Sequence, residues 1–197
     1  MKLCLYQGTF NPIHNAHLHV AEYAINSLDI DKVLFIPAAI PPHKSYDGNI
    51  SIDRLNMVKL AVKGHKDFEV SDIEYKLKGK SYTYRTVCEL YKIYNDIDGK
   101  IKFLIGTDAF EKIESWYESD KLKELVDFIV FIRENDFDEH RFTYLEGRGY
   151  KFQFMPLEFL DISSTEIRKK VKNNADITNL VPEKVKEYIY KNELYKD

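Results

Sequence analysis

Two stretches of the chain carry side chains whose types and spacing suit the handling of a polyphosphate. The first is Gln7-Gly8-Thr9-Phe10-Asn11-Pro12-Ile13-His14-Asn15-Ala16-His17-Leu18, which follows an apolar run and opens a helical pattern. Gly8 permits a tight turn with close backbone approach to a ligand, and Thr9 adds a hydroxyl and a backbone N–H. His14 and His17 share a face if the first helical turn holds both. Two imidazoles at a helix N-terminus would donate hydrogen bonds to phosphate oxygens, and the helix dipole adds to that attraction. The same histidines admit other readings. With His19 they could bind a metal, although a zinc site wants a further Cys or His at defined spacing and none is near. They could be surface histidines, or His17 could cap or pack.

The second stretch is Asp161-Ile162-Ser163-Ser164-Thr165-Glu166-Ile167-Arg168-Lys169-Lys170. Ser163 and Glu166 have capping-box spacing, so a helix starts here. That structural reading is complete by itself for an isolated segment. Ser164 and Thr165 nevertheless add hydroxyls to the N–H groups of the same helix start, and Arg168 follows within a turn. Hydroxyls, backbone donors and a bidentate cation together make an anion cradle.

The elements that must position these residues alternate regularly. Apolar runs at 2–7, 32–37, 68–72, 100–106, 127–133 and 150–155 read as strands. Helical periodicity follows the first run through Leu18, Ala21, Ala24, Ile25 and Leu28, and recurs from Ser51 through Leu55, Val58, Leu60 and Val62. Further helices are expected over 83–94, over 110–126 with a break near Tyr117-Glu118-Ser119, over 164–172 and over 182–190. A proline- and glycine-rich loop spans 38–49. Near-continuous apolar strands between helices predict an α/β fold, Rossmann-like and doubly wound, with a mainly parallel sheet and helices on both faces. Residues 1–197 read as a single domain, with roughly the last 35 residues a small helical C-terminal subdomain. In such folds ligands bind beyond the carboxyl ends of the strands, where strand order reverses.

Bulk properties narrow the class. A net charge of −3 supplies no global positive field for nucleic acid or an anionic membrane, so an anionic ligand must be held by local groups. No apolar run approaches the length of a membrane span. The segment Met1-Lys2-Leu3-Cys4-Leu5-Tyr6 is too short for a signal-peptide core. Two cysteines without a paired spacing, Cys4 in an apolar run, suit a reducing compartment. A cytoplasmic location is expected.

Taken together, the two stretches resemble the nucleotidyltransferase superfamily, where a His-x-x-His loop after the first strand works with an Ile-Ser-Ser-Thr-x-x-Arg-like helix start. Within it the chain is most similar to the bacterial nicotinate-nucleotide adenylyltransferases. The resemblance also covers Ile40-Pro41-Pro42-His43-Lys44, Ser81-Tyr82-Thr83, and Gly106-Thr107-Asp108 followed by Trp116. It departs from the family pattern at Gln7 and Ala16, where glycines are usual, at Tyr84-Arg85 after Ser-Tyr-Thr, and at Arg133-Glu134. Gln7, unlike a glycine, must sit in an ordinary region of backbone space.

The resemblance implies adenylyl transfer from ATP to nicotinate mononucleotide, with Mg²⁺ carried by the ATP and no metal held by the protein. It implies catalytic roles for His14, His17 and Arg168. An ATP site would comprise Gly8, Thr9, Phe10, Gly106, Asp108, Ile162, Ser163, Ser164 and Thr165 beside those three. The acceptor would meet Lys44, Tyr82, Thr83 and Trp116, with Thr83 reaching the nicotinate carboxylate through its hydroxyl or through backbone donors and Trp116 stacking on the pyridine ring. Simpler readings exist for the middle motifs: Trp116 as core, Pro41-Pro42 as a rigid loop, and Asp108 as a helix N-cap. The competing functions are a phosphopantetheine adenylyltransferase and a non-catalytic nucleotide-binding sensor of the same fold. Oligomerisation is left open.

Overall fold

The computed structural model describes residues 1–42, 50–132, 137–158 and 160–196. His43, Lys44, Arg133 and Glu134 therefore lie outside the described residues. In chain order the elements are β1 (Leu3–Gly8), α1 (Asn15–Ser27), β2 (Lys32–Pro37), α2 (Ser51–Val62), β3 (Phe68–Val70), α3 (Ile73–Lys76), α4 (Thr83–Ile93), β4 (Ile101–Gly106), α5 (Thr107–Phe110), α6 (Ser119–Leu125), β5 (Val126–Phe131), α7 (Thr143–Gly147), β6 (Phe152–Met155), α8 (Ser164–Lys172) and α9 (Glu183–Lys191). The six strands form one sheet in the order β3-β2-β1-β4-β5-β6, with every neighbouring pair parallel.

Side-chain alternation along each strand feeds two cores. In β1, Cys4 and Tyr6 enter one core and Leu3 and Leu5 the other. In β2, Val33 and Phe35 separate from Leu34 and Ile36 in the same way. The first core is closed by α1, α2, α8 and α9, through Leu18, Val58, Ile167 and Val185 among others. The second is closed by α3 to α7, through Ile73, Leu90, Phe110, Leu122 and Leu145. This is the doubly wound, two-faced sheet that the apolar runs predict. Burial pushes the Cys4 thiol up to about 12, so it is a packed, inert thiol. Among the described residues no helix is long and apolar enough to cross a membrane.

The sheet opens where its strand order reverses. Pairing of β1 with β4 joins Cys4 to Lys102 and Leu5 to Phe103. By contrast β1 pairs with β2 as far as Gly8 and Pro37, and β4 with β5 as far as Gly106 and Phe131. The carboxyl ends of β1 and β4 therefore part, and a crevice forms between them.

The expected helix over 110–126 is the largest correction. The chain forms α5 already at Thr107, then a 3-10 turn at Ile113–Ser115, then α6. Glu118, at φ 55°, is in the left-handed region and interrupts the helix at the expected break. β3 stops at Val70 and β6 begins at Phe152, both shorter than their apolar runs.

Candidate active site

The first loop is stiffened before it meets any ligand. Gly8, the last residue of β1, is needed for packing: a Cβ there would stand 3.0 Å from the Phe10 ring. Phe10 turns back over the strand at φ 48° and is almost wholly buried, edge-on to Tyr6 at 5.5 Å and to His17 at 5.0 Å. The residue is spent on packing and presents little surface to any ligand. His14 is the N-cap of α1, and its ring stacks on His17 with centroids 3.7 Å apart. The His14 backbone N–H donates to His17 Nδ1 at 3.2 Å, so the neutral His17 ring carries its proton on Nε2. The His19 Nε2 lies 3.0 Å from the Glu158 carbonyl. Among the described residues no cluster of three or more His, Cys, Asp or Glu side chains could hold a metal ion.

α8 is brought onto this loop from more than 150 residues away. Ser163 caps the helix, its hydroxyl accepting from the Glu166 N–H at 3.1 Å. The Ser164 hydroxyl donates to the Pro12 carbonyl at 2.8 Å. Arg168 donates to the Asn11 carbonyl at 2.8 Å and to the Thr165 hydroxyl at 3.2 Å. Asn11 is also held from the C-terminal end, where the Tyr195 hydroxyl donates to its Oδ1 at 2.6 Å. One donor of the α1 start is already committed, since the Asn15 N–H meets the Leu180 carbonyl at 2.9 Å. Ile162 lines a small pocket of about 60 Å³ with His14 and His17.

On the other side of the loop a cleft of about 560 Å³ opens beside Gln7, Gly8, Thr9, Thr83 and Trp116. That volume is in the range of small-molecule sites. Trp116 is half-buried, with its ring tilted 66° to Phe103 at 6.0 Å, so it both packs on the second core and walls the cleft. Tyr82 stacks on Tyr117 at 4.5 Å across the mouth, and the Arg85 guanidinium lies 5.3 Å from both rings. α4 begins at Thr83, so its first N–H groups stand at the same place. The Thr83 hydroxyl itself donates to Gln7 Oε1 at 2.7 Å. Of the two expected routes to a carboxylate, the hydroxyl proton is thereby taken and the backbone donors are left. Asp108 is exposed in the first turn of α5, and Gly106 rather than Asp108 is the N-cap.

Two buried charged residues behind the cleft carry no local sequence signal. Arg54, only 3% exposed, donates to the carbonyls of Thr9 and Ala38 at 2.7 Å and of Ala39 at 3.2 Å, clamping the ends of the first two strand loops together. Glu74, 2% exposed in α3, accepts from Gln7 Nε2, from the Thr86 hydroxyl at 2.7 Å and from the Ala39 N–H at 3.3 Å. Burial raises its carboxyl above the usual range, while bonds from Ser81, Thr86, Ala39 and Gln7 pull the other way. Arg54 lies on a helix that reads as plainly amphipathic, and an acid three residues after Ser71 reads as a solvated charge. Neither type nor spacing marks them, because their partners are distant in sequence.

The description "Cytidylyltransferase-like" belongs to the family that matches residues 5–170. A relative from Clostridium tetani, named probable nicotinate-nucleotide adenylyltransferase, is 41% identical over 99% of both chains. The chain belongs to the cytidylyltransferase-like family, among its nicotinate-nucleotide adenylyltransferases. A second relative of the same name, from Fusobacterium nucleatum, is 41% identical over 97% of this chain and 98% of its own. The solved Plasmodium falciparum nicotinic acid mononucleotide adenylyltransferase complexed with NaAD shares the fold, with a TM-score of 0.79 at 24% identity over 98% of this chain and 97% of that one. For a member of this family, the crevice between β1 and β4 and the two sides just described are the place to seek the reaction.

Proposed function

We propose that this chain transfers the adenylyl group of ATP to nicotinate mononucleotide, releasing pyrophosphate and forming nicotinate adenine dinucleotide, as one domain working in the cytoplasm. One observation carries the reading: the first loop separates a cationic helix start from a cleft of acceptor size. On one side the loop is tied to α8 by Ser164 and Arg168. On the other it borders the cleft walled by Thr83 and Trp116.

The reaction needs no covalent intermediate and no strong base, because the acceptor phosphate is already ionised. Its oxygen forms a bond to the α-phosphorus as the bond to the pyrophosphate oxygen breaks, in line. The difficulty is anion attacking anion, so catalysis is positioning plus charge neutralisation. The His17 Nε2–H, Arg168 and the first N–H groups of α8 supply donors for the phosphates. These groups are cationic or neutral donors, so a Mg²⁺ ion would travel on the triphosphate and keep most of its waters rather than sit in a protein cage. Ser163, Ser164 and Thr165 border the phosphates, and Gly106 and Asp108, at the end of β4, face the nucleotide. Tyr82, Trp116 and the start of α4 take the acceptor; Lys44, expected with them, lies outside the described residues.

The test is pyrophosphate release with ATP and a panel of acceptors: nicotinate mononucleotide, nicotinamide mononucleotide and phosphopantetheine. The expected order puts nicotinate mononucleotide first. Faster turnover of phosphopantetheine overturns the acceptor, and no release with any of them favours a nucleotide-binding sensor.

A further inference from the structure

The buried Glu74 carboxylate dictates how Gln7 presents itself to the acceptor cleft. Four groups converge on that carboxylate: the Gln7 amide nitrogen, the hydroxyls of Thr86 and Ser81, and the Ala39 N–H. An ionised carboxylate only accepts, so it must face the NH₂ end of the Gln7 amide and not its carbonyl. The Gln7 carbonyl then faces Thr83, and the Thr83 hydroxyl is obliged to donate to it, as found at 2.7 Å. Each assignment forces the next. At the end of the chain, Thr83 has spent its proton and offers the cleft only lone pairs. Gln7 has spent one of its two amide N–H groups on Glu74 and retains the other. Both residues line the cleft with Trp116.

We propose that Gln7 is a specificity-determining residue of the acceptor subsite, that its second amide N–H donates to the acceptor's carboxylate, and that Glu74 is the positioning residue that fixes the direction of that donor. The inference rests on the acceptor reading above and deepens it. Beside the first N–H groups of α4, Gln7 makes a mainly donor surface, the Thr83 oxygen apart. A carboxylate satisfies such a surface with both oxygens. A carboxamide places its own N–H groups against one of the donors and leaves both unpaired. Arg85, placed over Tyr82 and Tyr117 at the cleft mouth, adds positive charge on the same side.

The experiment measures kcat and KM for nicotinate and nicotinamide mononucleotides in the full chain and in Gln7→Met, Gln7→Ala and Glu74→Gln, with a thermal melt of each. Gln7→Met keeps volume and removes both amide functions, and Gln7→Ala guards against a packing failure of methionine. A hydrogen bond to a charged group is worth about 1.5–3 kcal/mol, so both Gln7 variants should raise KM for the acid about 10- to 100-fold. KM for ATP and kcat should stay essentially unchanged, and the acid-over-amide preference should fall by the same factor. Glu74→Gln should lower that preference by less, because a neutral partner lets the Gln7 amide turn over. A purely structural role for the pair would lower the melting temperature and leave the preference intact, which overturns the proposal. A wild-type chain that ignores nicotinate mononucleotide overturns the acceptor reading and this inference together. A wild-type chain that uses it, with a preference untouched by Gln7→Met, overturns this inference alone.

Discussion

The two sides of the first loop are built by opposite means. On the α8 side, cations and hydroxyls are anchored on backbone carbonyls: Arg168 on Asn11, Ser164 on Pro12. On the cleft side, side chains hold one another: Thr83 on Gln7, Gln7 and Thr86 on Glu74. A carbonyl is present whatever residue supplies it, so the first arrangement tolerates change in the loop and asks only for the right cation. The side-chain relay has a direction of donors and acceptors, and altering any member reverses or breaks it. Under the proposed function the difference suits the work of each side. Every nucleotide brings the same phosphates, whereas an acceptor must be told from its amide.

The largest effect that would test this division falls on the phosphate side. His17→Ala should lower kcat by about 10²–10³-fold, as for a lost oxyanion donor. The KM for nicotinate mononucleotide and the melting temperature should change little, since the His17 ring sits at a helix start and not in the acceptor cleft. Near-normal kcat with a large fall in melting temperature would make His17 a packing residue for Phe10. Rescue by added zinc would favour metal binding.

That side was legible in the sequence, and the reason is physical. The loop and helix start proposed to hold phosphate are local: Gly8 to His17 and Ser163 to Arg168 are each contiguous, and each announces itself by turn and cap chemistry. The strands were legible as apolar runs for the same reason. The relay behind the cleft was not. Gln7 and Glu74 are 67 positions apart, and Gln7 and Thr83 are 76 apart. The residue types carry no mark of burial, and only the β3-β2-β1-β4 order of the sheet brings them together. In the stretch after α5 the break at Glu118 was legible, but the 3-10 turn at Ile113–Ser115 was not, because the apolar spacing before Glu118 is helical.

Arg54 stands behind the cleft and should be felt as stability. Its guanidinium satisfies the buried carbonyls of Thr9, Ala38 and Ala39. Arg54→Met leaves them unpaired, and a loss of about 3 kcal/mol in unfolding free energy is expected in chemical denaturation. A near-neutral result would mean that the two strand loops hold their shape without the clamp.

Trp116→Ala sharpens the comparison on the cleft side. By analogy with base–aromatic stacking it should weaken acceptor binding by about 1–3 kcal/mol and leave ATP binding alone. The measurement is a titration of each substrate separately. Loss of ATP affinity, or unfolding through the lost contact with Phe103, would assign the ring to the core instead of the pyridine.

The smallest effect concerns pH and isolates the charge on Glu74. Its folded carboxyl is raised by burial, so between its ordinary range and the raised value the native state binds more protons than the unfolded chain. Unfolding free energy therefore falls as pH rises through that window. The contribution is fully present below the ordinary carboxylate range, where the group is neutral in both states, and is lost as pH climbs past the folded value. In Glu74→Gln this contribution is absent at every pH. The stability of the wild-type chain minus that of the variant should accordingly decline across the window, with a slope no steeper than about 1.4 kcal/mol per pH unit. The offset between the two curves includes the altered bonds to Gln7 and Thr86, whereas the slope reports only the difference in bound protons, to which burial and those donors contribute with opposite sign. Parallel curves would mean that the donors from Ser81, Thr86, Ala39 and Gln7 offset the burial in full. A rising difference would mean that they outweigh it and hold the carboxylate more firmly than water does. A declining one leaves Glu74 as a charge kept at some cost in stability, which is the expected condition of a residue retained for the direction it imposes on Gln7.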